Sequence, residues 1–109
     1  MRRVLLVMVL GTLALTPAAH AKARRCGEFA AAGGAVRRVY AIRGVTCRTA
    51  LSVAKRDAQS TAPSPWRCAT AFSGRYAGHP LAAKCGYGGG GPLLARRHAF
   101  AVVEIAGNG

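Results

Sequence analysis

Four cysteines, Cys26, Cys47, Cys68 and Cys85, are the residues of this chain best suited to chemistry. Their spacings of 21, 21 and 17 contain no Cys-x-x-Cys, and no His-x-x-x-His accompanies them. The sequence therefore carries neither a zinc-ligand array nor the dithiol of thioredoxin-type exchange. Cys47 alone has a reactive address, just after Thr46 at the start of a helix pattern, where the helix dipole would lower the pKa of a free thiol. It has no nearby partner thiol, and a structural bridge is the better reading. Hydrolytic chemistry needs a nucleophile, base and orienting acid, or two convergent carboxylates. Beyond residue 23 the acids are Glu28, Asp57 and Glu104, on three separate elements. Glu104 lies inside an apolar strand pattern, where an edge or end position paired with an arginine is expected. His79 precedes Pro80 in a turn, and His98 follows Arg96 and Arg97; both read as exposed loop residues. Gly88, Gly89, Gly90 and Gly91 lack the Gly-Lys-Ser/Thr that completes a phosphate-binding loop, and Pro92 removes a donor. No catalytic residue, metal ligand or cofactor site follows from these residues, and the chain reads as non-enzymatic.

The elements that hold these residues begin with a leader. Met1-Arg2-Arg3 is a basic start, residues 4–15 are apolar except for Gly11 and Thr12, and Pro17 precedes two overlapping small-x-small sites at Ala19–Ala21 and Ala21–Ala23. This is the pattern of a secretory signal peptide covering residues 1–23, cleaved after Ala21 or Ala23, with an apolar run too short to span a bilayer. The protein is thus expected to be secreted. Of 16 Lys and Arg residues, cleavage after Ala23 removes Arg2, Arg3 and Lys22; the 13 left against 3 acids give +10. All four cysteines follow the leader, and an even set in a short exported chain reads as two disulfides.

Residues 24–35 are rich in small residues and end in Gly33-Gly34, so a flexible N-terminal segment is expected there. Residues 36–109 are expected to form the folded domain. Residues 36–43 are rich in β-formers and predict a strand, with Val39 and Ala41 on one face and Tyr40 and Ile42 on the other. Thr46 is a helix N-cap, and Cys47, Ala50, Leu51, Ala54 and Ala58 fall on one apolar stripe at 100° per residue. A proline-bearing loop leads to a strand over residues 66–72. A turn at residues 73–80 leads to a strand over 81–87, with Leu81, Ala83, Cys85 and Tyr87 on one face. The last strand, residues 99–105, is the most apolar and is expected to be central. The order is β-α-β-β-β, which predicts an α+β fold with one helix packed on a small antiparallel sheet, stapled by disulfides. Linking Cys47 to Cys68 or Cys85, with Cys26 taking the other, fits this layout best. Cys68–Cys85 with Cys26–Cys47 is the alternative, and the sequence does not choose among three connectivities.

The pattern Val39-x-Ala41-Ile42-x-Gly44-Val45-Thr46-Cys47-x-x-Ala50-x-x-Val53-Ala54, then Trp66-x-Cys68, then Cys85-x-x-Gly88, resembles a group of small, uncharacterised, secreted actinobacterial proteins. In them an (S/T)-C-x-x-A helix start, a W-x-C strand and a later C-x-x-G strand recur. The resemblance implies secretion, disulfides and a small α+β fold, and it supplies no catalytic residue. A likeness to secreted inhibitor domains is one of layout alone.

Charge is the one global feature with functional content. Basic residues are spread along the chain from Arg24 to Arg97, in runs no longer than two and with no aromatic-interleaved stripe, which speaks against a specific nucleic-acid partner. Such a charge favours nonspecific attraction to anionic cell-wall polymers or a membrane surface. The leading expectation is a secreted basic module retained on such polymers. The rival is an inhibitor or toxin-like effector that binds a protein partner through the loops at 73–80 or 88–92.

Overall fold

A computed structural model describes residues 23–70 and 73–106. Apart from Ala23, the expected signal peptide lies outside the described residues, as do positions 71–72 of the expected second strand. Among the described residues six strands form, β1 (Arg24–Ala30), β2 (Val36–Arg43), β3 (Arg67–Thr70), β4 (Arg75–Tyr76), β5 (His79–Tyr87) and β6 (His98–Ala106). One α-helix, α1 (Cys47–Gln59), lies between β2 and β3, and short 3-10 turns occupy Ala32–Gly34 and Leu93–Ala95. The sheet is antiparallel throughout, in the order β1-β2-β6-β5-β3, with β4 paired to β5. The fold is α+β, one helix on an antiparallel sheet with two disulfides. Among the described residues no helix is long and apolar enough to cross a membrane.

The apolar β6 is the central strand, and Phe100, Ala101, Val102 and Val103 are buried on its two faces. Phe100 and Val102 join Val39, Ala50, Val53, Ala54, Ala83 and Cys85 beneath α1. Ala101 and Val103 join Leu81 on the opposite face, where Tyr40, Ile42, Tyr76, Leu94 and Ile105 pack around them. Strand β2 therefore contributes to both cores, Val39 to one and Tyr40 and Ile42 to the other.

Several expectations about the strands and bridges change. The segment 24–35 is not loose, because Arg24–Ala30 is strand β1, paired along β2 and packed on the core through Cys26 and Phe29. The order gains that strand and the two-residue β4. Leu81 leaves the face of Ala83 and Cys85, because the register shifts between Leu81 and Ala83, and one extra residue in a strand reverses the alternation. The favoured pairing of Cys47 with Cys68 or Cys85 gives way to Cys26–Cys47 and Cys68–Cys85. Cys68 and Cys85 stand directly opposite in the β3–β5 register with Cα atoms 4.1 Å apart, which suits a bridge across the pair.

This pairing also explains how the helix is turned. Thr46 caps it, accepting from the Thr49 N–H at 3.2 Å. Its buried residues are Ala50, Val53 and Ala54, while Ala58 is exposed. The buried stripe is thus rotated by about 60° from the expected one at 100° per residue. Cys47 is tied to edge strand β1 and so marks the outer limit of the stripe, and Leu51 lies near Gly27 of the same strand. Val53 then points toward the middle of the sheet.

Candidate functional site

The antiparallel register carries one end of every main strand to the same end of the sheet. Arg24 of β1 pairs with Ala41, Arg43 of β2 with Ala99, Tyr87 of β5 with His98 of β6, and Arg67 of β3 with Gly86. Arg24 and Arg25 open β1, Arg43 closes β2, Arg67 opens β3, and Arg96 and Arg97 lead into β6. Arg48, in the first turn of α1, follows the short connection from Arg43. These seven arginines, spread over the sequence, belong to one end of the fold; all are exposed except the half-buried Arg96.

Backbone carbonyls hold several of them in place. Arg24 Nη2 donates to Val45 O at 3.2 Å. Arg43 Nη1 donates to Leu94 O at 2.7 Å and to Arg96 O at 3.0 Å, while Arg96 Nε reaches Gly91 O at 3.0 Å. Together with Arg97 N–H donating to Gly88 O at 3.1 Å, these bonds tie the glycine-rich loop down at its two ends. His98, expected in a loop, begins β6, and its Nδ1 lies 2.6 Å from Gly44 O. A carbonyl oxygen only accepts, so Nδ1 carries the proton of this bond. Gly44 has φ +62, and a Cβ there would collide with Arg97 O and the His98 ring, so glycine is required at this turn.

An aromatic series runs from the core to this end. Phe100 meets Trp66 at 5.0 Å between centroids, Trp66 meets Tyr87 edge-to-face at 4.7 Å and 81°, and Tyr87 stacks on His98 at 4.2 Å and 14°. Trp66 and Tyr87 line a shallow concavity of about 520 Å³ with Arg24, Gly44, Val45, Thr46 and Thr49. A larger one of about 800 Å³, between β1 and the second half of α1, mixes Glu28 with Lys55 over Phe29 and Ala58 and offers no aromatic pair.

The three carboxylates do not converge. Glu28 pairs with Arg38 at 2.9 Å and Arg25 at 3.4 Å, and is held below the usual glutamate range chiefly by its hydrogen bond from Arg38. Asp57 is pushed up by burial, against the opposing pull of the Arg37 charge and the Ala62 N–H. Glu104 stands opposite Arg37 in the β2–β6 register, near one end of the central strand; among the described residues Glu28 alone makes ion pairs. The carboxylate of Asp57 lies within 4.8 Å of the Cys68 and Cys85 sulfurs, but these are bonded to each other and present no thiolate to a metal. Of the two loops expected to meet a protein partner, that at 73–80 folds back so that Tyr76 packs on Tyr40 at 5.5 Å, and that at 88–92 is tied to Arg96 and Arg97.

The gathering of arginines is what sequence reasoning missed. Each arginine sits at an element end, and that signal is visible in the chain; what makes it a single surface is the strand order, which no local pattern encodes. Compared with protein families, with curated proteins and with solved structures, the chain matches none of them.

Proposed function

We propose that this protein is an exported, non-enzymatic module held on anionic cell-surface polymers by the arginine-bearing end of its sheet. The observation that carries this reading is the register that brings Arg24, Arg43, Arg67 and the Arg96–Arg97 pair to one end. A surface of one sign concentrates counter-charged polymer and speeds its encounter. The leader pattern of residues 1–23 and the two disulfides support export, since such bridges persist in oxidising compartments. An arginine fork also suits the carboxylate and phosphate groups of such polymers better than a lysine point charge.

Retention on a polyphosphate resin across a sodium chloride series tests it. The wild type should elute at a salt concentration well above that of a triple variant, Arg24→Gln with Arg67→Gln and Arg97→Gln, whose affinity at 0.1 M salt falls at least about tenfold, roughly 1.4 kcal/mol. A control triple, Lys55→Gln with Arg56→Gln and Arg75→Gln, removes the same charge from other elements and should lose less than about threefold. Equal losses in the two triples would mean that net charge alone holds the polymer, and the reading fails.

A further inference from the structure

Within the arginine-bearing end, the concavity beside Trp66 is built for more than charge. We infer that it is a subsite for one acidic sugar residue, a pyranose ring carrying a carboxylate or a phosphate, within a longer anionic glycan. This rests on the reading that the basic end binds anionic surface polymers, and it adds which repeat unit such a polymer must contain.

Three features converge. Trp66 and Tyr87 offer aromatic surface to the concavity, fixed at 81° to each other and backed by Phe100 and His98, so neither ring must be ordered on binding. The C–H face of a pyranose is a weakly positive, apolar surface that suits such a ring; a bare phosphate chain has no counterpart to it. Arg24 stands at the same wall with one N–H committed to Val45 O, which orients the guanidinium and leaves its other donors for a carboxylate or phosphate. Thr49 supplies a hydroxyl, held 3.2 Å from Thr46 Oγ1, and a hydroxyl both donates and accepts, as a sugar hydroxyl requires. Thr46 already caps the helix, so the helix terminus is not what is invoked. The volume of about 520 Å³ is in the range of small-ligand sites, about 300–1,000 Å³. Its shallow form suits one residue of a chain that continues over the neighbouring arginines.

Trp66 is the one tryptophan of the chain, so intrinsic fluorescence reports on this site directly. The probes are trigalacturonate, glucose 6-phosphate, neutral maltotriose and inorganic polyphosphate, added to the oxidised protein. One or both acidic sugars should change Trp66 emission saturably, and the tighter of the two identifies the anion; maltotriose should not. Arg24→Gln should weaken that response at least tenfold, and Thr49→Val several-fold, while Lys55→Gln, which removes one charge elsewhere on the surface, stays within twofold. Circular dichroism of each variant confirms that it is folded, and Thr49→Val carries the test if Arg24→Gln is not. No saturable response to either acidic sugar, an equal response to maltotriose, or equal losses in Arg24→Gln and Lys55→Gln would overturn the subsite. If polyphosphate is still retained in a salt-dependent manner while the sugars fail, the subsite falls and the surface reading stands; if polyphosphate also fails, both fall.

Discussion

Glu28 and Asp57 act on stability in opposite senses, and the difference lies in their surroundings. Glu28 accepts from Arg38 and Arg25, so its ionised form is favoured and its pKa lies below the ordinary 4.5. Its stabilisation is present above that ordinary value and is lost as pH falls through the lowered one. Asp57 is disfavoured as a charge by burial, which raises its pKa above the ordinary 3.8. Its contribution is therefore largest below that value and is lost as pH rises through the raised one. Glu28→Gln should lower the melting temperature at pH 7, by little because the pair is solvent-screened, and the gap from wild type should close as pH falls through the lowered Glu28 pKa. Asp57→Asn, which keeps an acceptor for the Ala62 N–H, should raise it by about 1–3 °C at pH 7, with that gain also vanishing on acidification. Calorimetry between pH 2 and 7 checks both; gaps that do not change with pH would remove ionisation as the cause. Thr46 as a cap was legible in the sequence because its partner is three residues away. The role of His98 was not, because Gly44 lies 54 residues from it and only the pairing of β6 with β2 brings them together.

Each disulfide secures one outer strand of the sheet. β1 and β3 are the two ends of the strand order, and β1 is tied to the start of α1 while β3 is tied to β5. An outer strand has hydrogen bonds on one side alone and is the first part of a sheet to open. The closed loops, with sequence separations of 21 and 17, are each worth about 3 kcal/mol by the chain-entropy argument. Replacing Cys26 and Cys47 together by serine should therefore open β1 locally before the domain unfolds. In hydrogen exchange, the β1 amides that donate to β2 should lose protection while Ala101–Val103 of β6 keep theirs. Uniform loss across β6 would show that this bridge holds the global fold and not the edge. The sequence identified all four cysteines as bridging but favoured the wrong partners, since it placed the helix over the strands of Cys68 and Cys85. β1 itself escaped notice because Gly27 interrupts it at a register shift, and its strand character comes from the tether and from Phe29 packing. The central β6 was legible because burial on both faces demands an unbroken apolar run.

At the scale of the whole molecule, salt should act on stability and on binding with opposite signs. Seven arginines at one end repel one another in the folded state and are farther apart in the unfolded chain, so the fold is destabilised at low ionic strength. Screening relieves this, the Debye length falling from about 30 Å at 0.01 M to about 10 Å at 0.1 M. The melting temperature of wild type should rise by a few degrees between those concentrations, over the range in which retention on polyphosphate declines. Polyphosphate added at 0.01 M salt should substitute for the screening ions and raise the melting temperature further, by about 2.7 kcal/mol of linkage when its concentration is a hundred times Kd. The triple variant at Arg24, Arg67 and Arg97 should show a flatter dependence on salt and a smaller response to polyphosphate, and the control triple at Lys55, Arg56 and Arg75 should stay close to wild type. If the control triple flattens the salt dependence as much, the repulsion belongs to the total charge and the arginine-bearing end is not an electrostatic unit. Charge count alone, which is all that composition supplies, predicts the same behaviour for both triples; the strand order is what predicts that they differ.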